Sequence, residues 1–225
     1  MIAIINNKKI RTLLIFLLTV FFISTVFCTP QRPEIIIYKG EKYQLLYNLP
    51  MAEYFKKYPD KHPKKDFYFS TGLTRGYVST FEIIENQLYI KDIMIIIYDP
   101  REKIVEKSVM NEVFPKQRLV KIDWVTGLLV LPKGKKIADP PNYAEYPLYE
   151  NYIILEIEKG ILVCEKEFTY AEYEVFKEAQ FEAFKKTEEY EKLKAKLTRR
   201  NSTEESINSL IRYSIIEYST KILVE

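Results

Sequence analysis

The sequence predicts an α+β domain: a mainly antiparallel β-sheet of hairpins, curled toward a barrel, with two C-terminal helices packed on one face or edge. Two patterns carry this reading. Between residues 34 and 168, short segments alternate apolar and polar side chains with the period of two that marks half-buried strands, punctuated by Lys39-Gly40 and Lys159-Gly160. From Thr169 onward the pattern changes to helical spacing, and Tyr170–Leu197 contains no Gly or Pro. The reading divides the chain into a targeting segment (1–27), a linker (28–33) and a single α+β domain (34–225), mostly β to 168 and helical from 169 to 225.

Residues 1–27 read as an address. Lys8, Lys9 and Arg11 precede an uncharged apolar run, Leu13–Phe27. Fifteen helical residues span ~22 Å, short of the roughly 20 residues a bilayer core requires, so the run suits the apolar region of a signal peptide. The positive flank stays inside, which puts the rest of the chain on the exported side of a bacterial inner or outer membrane. Cys28 follows the run directly and resembles the lipid-accepting Cys of a bacterial lipoprotein. Phe27, however, stands where a small residue is usual. An uncleaved signal anchor (a transmembrane helix) and an ordinary cleaved signal peptide are the alternatives.

In the domain, Ile35–Tyr38 and Tyr43–Leu46 form the first expected hairpin. Leu49–Tyr58 suits a short helix ended before Pro59, and Pro59–Lys65 a polar loop. Gly76–Ile84 and Leu88–Ile97 are the clearest strand pair, turning at Glu85-Asn86-Gln87. Leu119–Trp124 alternates, and Leu128–Leu131 is a strand expected to stop at Pro132, before a loop over Lys133–Tyr149. Tyr152–Ile157 and Ile161–Lys166 form the last hairpin. Tyr170–Leu197 reads as one helix with Tyr173, Phe176, Ala179, Ala183, Tyr190 and Leu197 on its core face. Ser202 and Glu205 form an expected capping box for a second helix, whose stripe is Ile207, Leu210, Ile211, Ser214, Ile215, Tyr218 and Ile222.

Charge argues against nucleic acid. The chain has 34 Lys+Arg against 31 Asp+Glu. The three basic residues of the targeting segment account for the difference, which leaves the exported part neutral, whereas a backbone binder needs clustered basic excess. Cys164 is the one cysteine besides Cys28, so packing rather than disulfides must hold the domain. It is expected to be a small buried residue on the face of Leu162.

No cofactor and no metal ligand set is expected, because His/Cys clusters and Asp/Asn-rich loops are missing from the sequence. The single histidine, His62, reads as a solvated loop residue. No catalytic residue is assigned, since no Gly-x-Ser-x-Gly elbow is present.

The candidate contacts are aromatic or basic. Tyr143, Tyr146, Tyr149 and Tyr152 recur every third residue in a Pro-rich stretch, the spacing of one polyproline II face. With Trp124 they would suit a carbohydrate, peptide or protein partner. The alternative is a lid of Tyr rings over the sheet. Phe181 falls on the charged side of the first helix and is a second candidate contact. Arg75 has the planar fork that binds carboxylates; its expected partner is Asp92 or Asp123, with a ligand carboxylate as the alternative.

Three stretches carry a family resemblance: STGLTRGYVSTFEI with NQLYIKDI (from Ser70), DWVTGLLVLPKGK (from Asp123), and YENYIILEIEKG leading to YEVFKEAQFEAFKKTEEY (from Tyr149). Over Tyr38 to Leu197 the chain resembles a group of small bacterial proteins without an assigned activity. That resemblance implies the same order of hairpins and a partner-binding or immunity-type role. Thr74 stands where such relatives tend to have an aromatic, and Tyr143–Tyr149 lacks their Gly-rich run. The function expected is a membrane-anchored, non-enzymatic protein-binding domain. A structural envelope lipoprotein without specific ligand, and an envelope hydrolase using Glu82, Asp92 and Asp123, are the alternatives.

Overall fold

A computed structural model describes residues 31–63, 71–101, 103–139, 146–198 and 203–224. It is a mixed α+β structure built on a mostly antiparallel nine-stranded sheet. The targeting segment and Cys28 lie outside the described residues. Among the described residues no helix is long and apolar enough to cross a membrane.

The first hairpin joins β1 (Glu34–Tyr38) and β2 (Glu41–Leu45) through Lys39-Gly40. Pro50 occupies the first turn of α1 (Pro50–Lys57), where its missing N–H costs nothing. β3 (Tyr77–Ile84) and β4 (Gln87–Asp99) turn through Glu85 and Asn86, both at positive φ as a tight two-residue turn requires. The sequence reading does not contain β5 (Lys103–Ser108), which pairs with the far half of β4. Nearly every β5 side chain is exposed, so the strand carries no apolar pattern to read. After the single turn of α2 (Met110–Val113), the strand expected at Leu119–Trp124 shrinks to β6 (Val120–Lys121).

Next comes β7 (Gly127–Ala138), which does not stop at Pro132. β7 ends the strand path and pairs only with β8 (Leu148–Glu158), so it tolerates a proline as edge strands do. The expected long loop is therefore largely strand. β9 (Ile161–Thr169) completes the order β2-β1-β3-β4-β9-β8-β7, with β1–β3 the one parallel pair among the described residues.

The sheet curls without closing into a barrel. Its first and last strands meet through one backbone hydrogen bond, Leu46 N to Val130 O at 3.4 Å. The curl makes β7–β8 a middle layer. Leu129, Leu131, Ile153, Leu155 and Ile157 pack against β1, β3 and β4, while Leu128, Val130, Tyr152 and Ile154 pack against the C-terminal helices. Burial on both faces explains the uninterrupted Leu128–Leu131 run.

Thr169 starts α3 (Tyr170–Phe184) with a capping box to Glu172. The single helix expected over Tyr170–Leu197 is broken. Thr187 accepts from the Tyr190 amide at 3.2 Å and caps α4 (Glu188–Leu197). The next helix, α5 (Glu204–Tyr213), is capped by Thr203, one residue beyond the expected Ser202, which lies outside the described residues. Ser214 separates α5 from α6 (Ile215–Tyr218). Ile207, Ile211 and Ile215 of the expected stripe are buried, whereas Leu210 is exposed.

One junction holds the two halves of the sheet. β4 and β9 share a single pair, Gln87↔Ile161. The Gln87 Nε2 lies 3.0 Å from Leu88 O, 2.8 Å from Ile122 O and 3.0 Å from Gly160 O. A Cβ on Gly160 would sit 1.7 Å from Ile122 O, at φ +80. Gly40 has a similar φ of +82 but nothing within 4 Å of its would-be Cβ. Gly160→Ala is therefore expected to cost about 3 kcal/mol or more, and Gly40→Ala about 1 kcal/mol. Urea titration of both variants checks this; equal costs would show that the Ile122 contact is not tight.

Candidate functional site

Where the sheet ends meet, the chain leaves β2 as Tyr47-Asn48-Leu49 and crosses the start of β7. Asn48 Nδ2 donates to Leu128 O at 2.5 Å and pins the crossing. A cleft of ≈ 280 Å³ opens there, lined by Asn48, Pro50, Glu53, Thr126 and Gly127. Beside it lies a hollow of ≈ 70 Å³, lined by Tyr146, Tyr173, Lys177 and Tyr213 among others. Tyr47 and Glu217 line both, so the two form one bipartite groove along the seam.

Its walls are held by packing. Tyr47 and Tyr146 meet edge to face at 5.7 Å, and Tyr173 stacks on Tyr152 at 4.3 Å. The Tyr173 hydroxyl is buried against the Tyr47 hydroxyl, and burial pushes its pKa well up. Burial also raises the Glu217 carboxyl above its usual range. Among the described residues neither Glu217 nor Glu53 has an ion-pair partner, whereas Lys177 is held by Glu174 at 2.7 Å. Glu217 and Glu53 are thus the unpaired carboxyls of the groove, and the Arg75 guanidinium acts on the Tyr146 hydroxyl from beside it.

The structure places the predicted contacts unevenly. Tyr146 is in the groove, half-buried. Tyr149 does not line the groove; its hydroxyl donates to Gln44 Oε1 at 3.3 Å. Tyr143 lies outside the described residues. Tyr149 and Tyr152 belong to β8 and not to a polyproline helix, because Leu148 onward pairs with β7.

Trp124 lines neither hollow: its Nε1 donates to Pro50 O at 3.0 Å and its ring lies against Tyr54 at 4.9 Å, anchoring α1. Phe181 is not an exposed contact. It is 1% exposed, because α5 covers that side of α3 and brings the Arg212 guanidinium 4.9 Å from its ring.

Arg75 pairs with neither Asp92 nor Asp123. Its Nη2 donates to Arg32 O at 2.5 Å, while Asp92 accepts from Ser108 Oγ at 2.6 Å and Asp123 is exposed. Glu82 takes Lys91 at 2.8 Å.

Two other expectations change. His62 is not a solvated loop residue; it packs between Phe55 at 4.9 Å and Tyr77 at 5.6 Å. Cys164 is half-exposed, and the bulge between Glu156 and Ile157 turns it to the face opposite Leu162.

Sequence reasoning missed three residues: Tyr47, Glu217 and Glu34. Tyr47 and Glu217 carry no local signal, since only the curl of the sheet brings them together. Glu34 was readable, because alternation back from Tyr38 and Ile36 turns it inward. It is 0% exposed, with Ser79 as its polar neighbour. Burial raises its pKa to about 7, although the Arg75 charge and neighbouring Ser79 pull it down.

The chain matches no protein-family model, no curated protein and no solved structure.

Glu34 sets a pH dependence. Its unfolded carboxyl releases its proton near 4.5 and the folded one near 7. Between those values the folded chain holds the extra proton, so the contribution of Glu34 to stability is greatest below about pH 4.5 and is lost as pH rises toward 7, by about 3 kcal/mol in total. Glu34→Gln is expected to remove this loss. Urea midpoints of both proteins at pH 5 and pH 8 check it: the variant should gain on the native chain at pH 8, and an unchanged difference would refute the assignment.

Proposed function

We propose that this chain is a membrane-anchored, non-enzymatic binding protein whose ligand is another protein. It is held on the exported side of a bacterial membrane by its N-terminal segment or by a lipid on Cys28. The observation that supports this reading is the seam groove. Tyr47, Tyr146 and Tyr173 are held in edge-to-face and stacked contacts, and Tyr213 stands 61% exposed at the rim. Rigid tyrosines give large amphipathic contact area at little entropy cost, which is why they concentrate in protein-binding surfaces. The resemblance to the bacterial group supports an immunity-type role, with a toxin or an envelope component as partner.

The test is co-purification from membranes in mild detergent, using a C-terminal tag and the native N-terminus, with mass spectrometry of intact chain and partner. One stoichiometric partner is expected. Tyr146→Ala with Tyr213→Ala should weaken its binding by roughly 30-fold, the effect of losing two aromatic contacts. A partner retained at full affinity by the double variant, or no partner at all, would overturn the reading. The intact mass reports at the same time whether the chain begins at an acylated Cys28.

A further inference from the structure

We infer that the smaller arm of the seam groove receives a primary ammonium group, the side-chain end of a lysine presented by the partner protein. This deepens the binding-protein reading and rests on it. Four tyrosines, Tyr47, Tyr146, Tyr173 and Tyr213, surround a hollow of ≈ 70 Å³, with Glu217 at its junction with the larger cleft. Aromatic faces around a carboxylate attract an organic cation: the ring quadrupoles and the negative charge act together, most strongly where water is displaced. The hollow takes a compact ammonium on a narrow stem, and the ≈ 280 Å³ cleft beyond, with Glu53 on its wall, takes the chain that carries it.

Two observations besides the acids point the same way. The Tyr173 hydroxyl belongs to a residue lining this hollow, and its polar neighbour is the Tyr47 hydroxyl, so the pair of hydroxyls keeps oxygen lone pairs for an N–H donor. The chain also places an ammonium of its own at the rim. Lys177 Nζ lies 4.9 Å from the Tyr173 ring centroid, and Glu174 at 2.7 Å holds it there. This internal cation shows which chemistry the ring accepts, and it competes with an incoming one.

The probe is n-butylammonium, titrated into the full chain in mild detergent and followed by the ring signals of ¹³C-labelled tyrosine. Saturable shifts at Tyr47, Tyr146 and Tyr213 are expected at millimolar probe, with no saturable shift from n-pentanol, the uncharged analogue. Glu217→Gln preserves shape and removes the charge, and should weaken binding about tenfold. Lys177→Met removes the competitor and should tighten binding. The opposite signs of these two effects separate recognition from a general loss of structure.

Equal shifts from n-pentanol, no saturable shift, or affinity unchanged by Glu217→Gln would overturn the inference. Tighter binding of n-butylguanidinium would overturn the choice of lysine. A captured protein partner without butylammonium binding would sink this inference alone. Butylammonium binding with no protein partner would keep the cation site and remove the protein-binding reading.

Discussion

The Gln87 side-chain amide, set among the carbonyls of Leu88, Ile122 and Gly160, stands where two sheets become one. β4 and β9 share one residue pair there, and backbone bonds from Leu88 to Gly160, Gly160 to Val125 and Leu162 to Asn86 close the knot. Because the join is so short, β9 and β8 can turn away from β4 and fold back. Folding back brings β7 under β1 and β3 and closes the seam at Leu46 and Val130. The groove is thus a consequence of this join, and Val125 belongs to both, since its carbonyl accepts from Gly160 N and its side lines the larger cleft.

The middle layer is buried on both faces and joins the two apolar clusters. Leu128, Leu129, Val130 and Leu131 are all 0% exposed, and full burial of each such side chain stabilises by roughly 1.5–3 kcal/mol. The helices cover one face of this layer, and Gln180 secures their tail: its amide donates to Lys221 O at 2.7 Å and accepts from Leu223 N at 2.9 Å. The surface ion pairs add little, since exposed pairs contribute about 0–1 kcal/mol each. The exception to apolar economy is Glu34, a carboxyl buried beside Ser79 whose nearby charge, Arg75, does not neutralise it fully.

The fold class and most hairpins were legible because period-two alternation and positive-φ turns are local. β5 was not, since an exposed edge strand of Lys, Glu and Ser carries no apolar signal. The extension of β7 past Pro132 depends on its being an edge strand, and that follows from topology. The break at Thr187 was readable as a Thr followed by Glu188 and Glu189, the start of a helix. Phe181 misled because helix periodicity assumes one covered face, and α5 covers a second. The site was the least legible part. Tyr146 stood out by its spacing, but Tyr47 and Glu217 lie on elements that meet only after the sheet has curled.

The proposed binding function rests on the seam, and hydrogen exchange of the isolated complex tests it most directly. Bound partner is expected to slow exchange in residues 47–53, 146–149 and 213–218, while β5 and the outer turns of α4 keep their free-state rates. Protection confined to β5 or α4, with the seam segments exchanging as in the free chain, would contradict it.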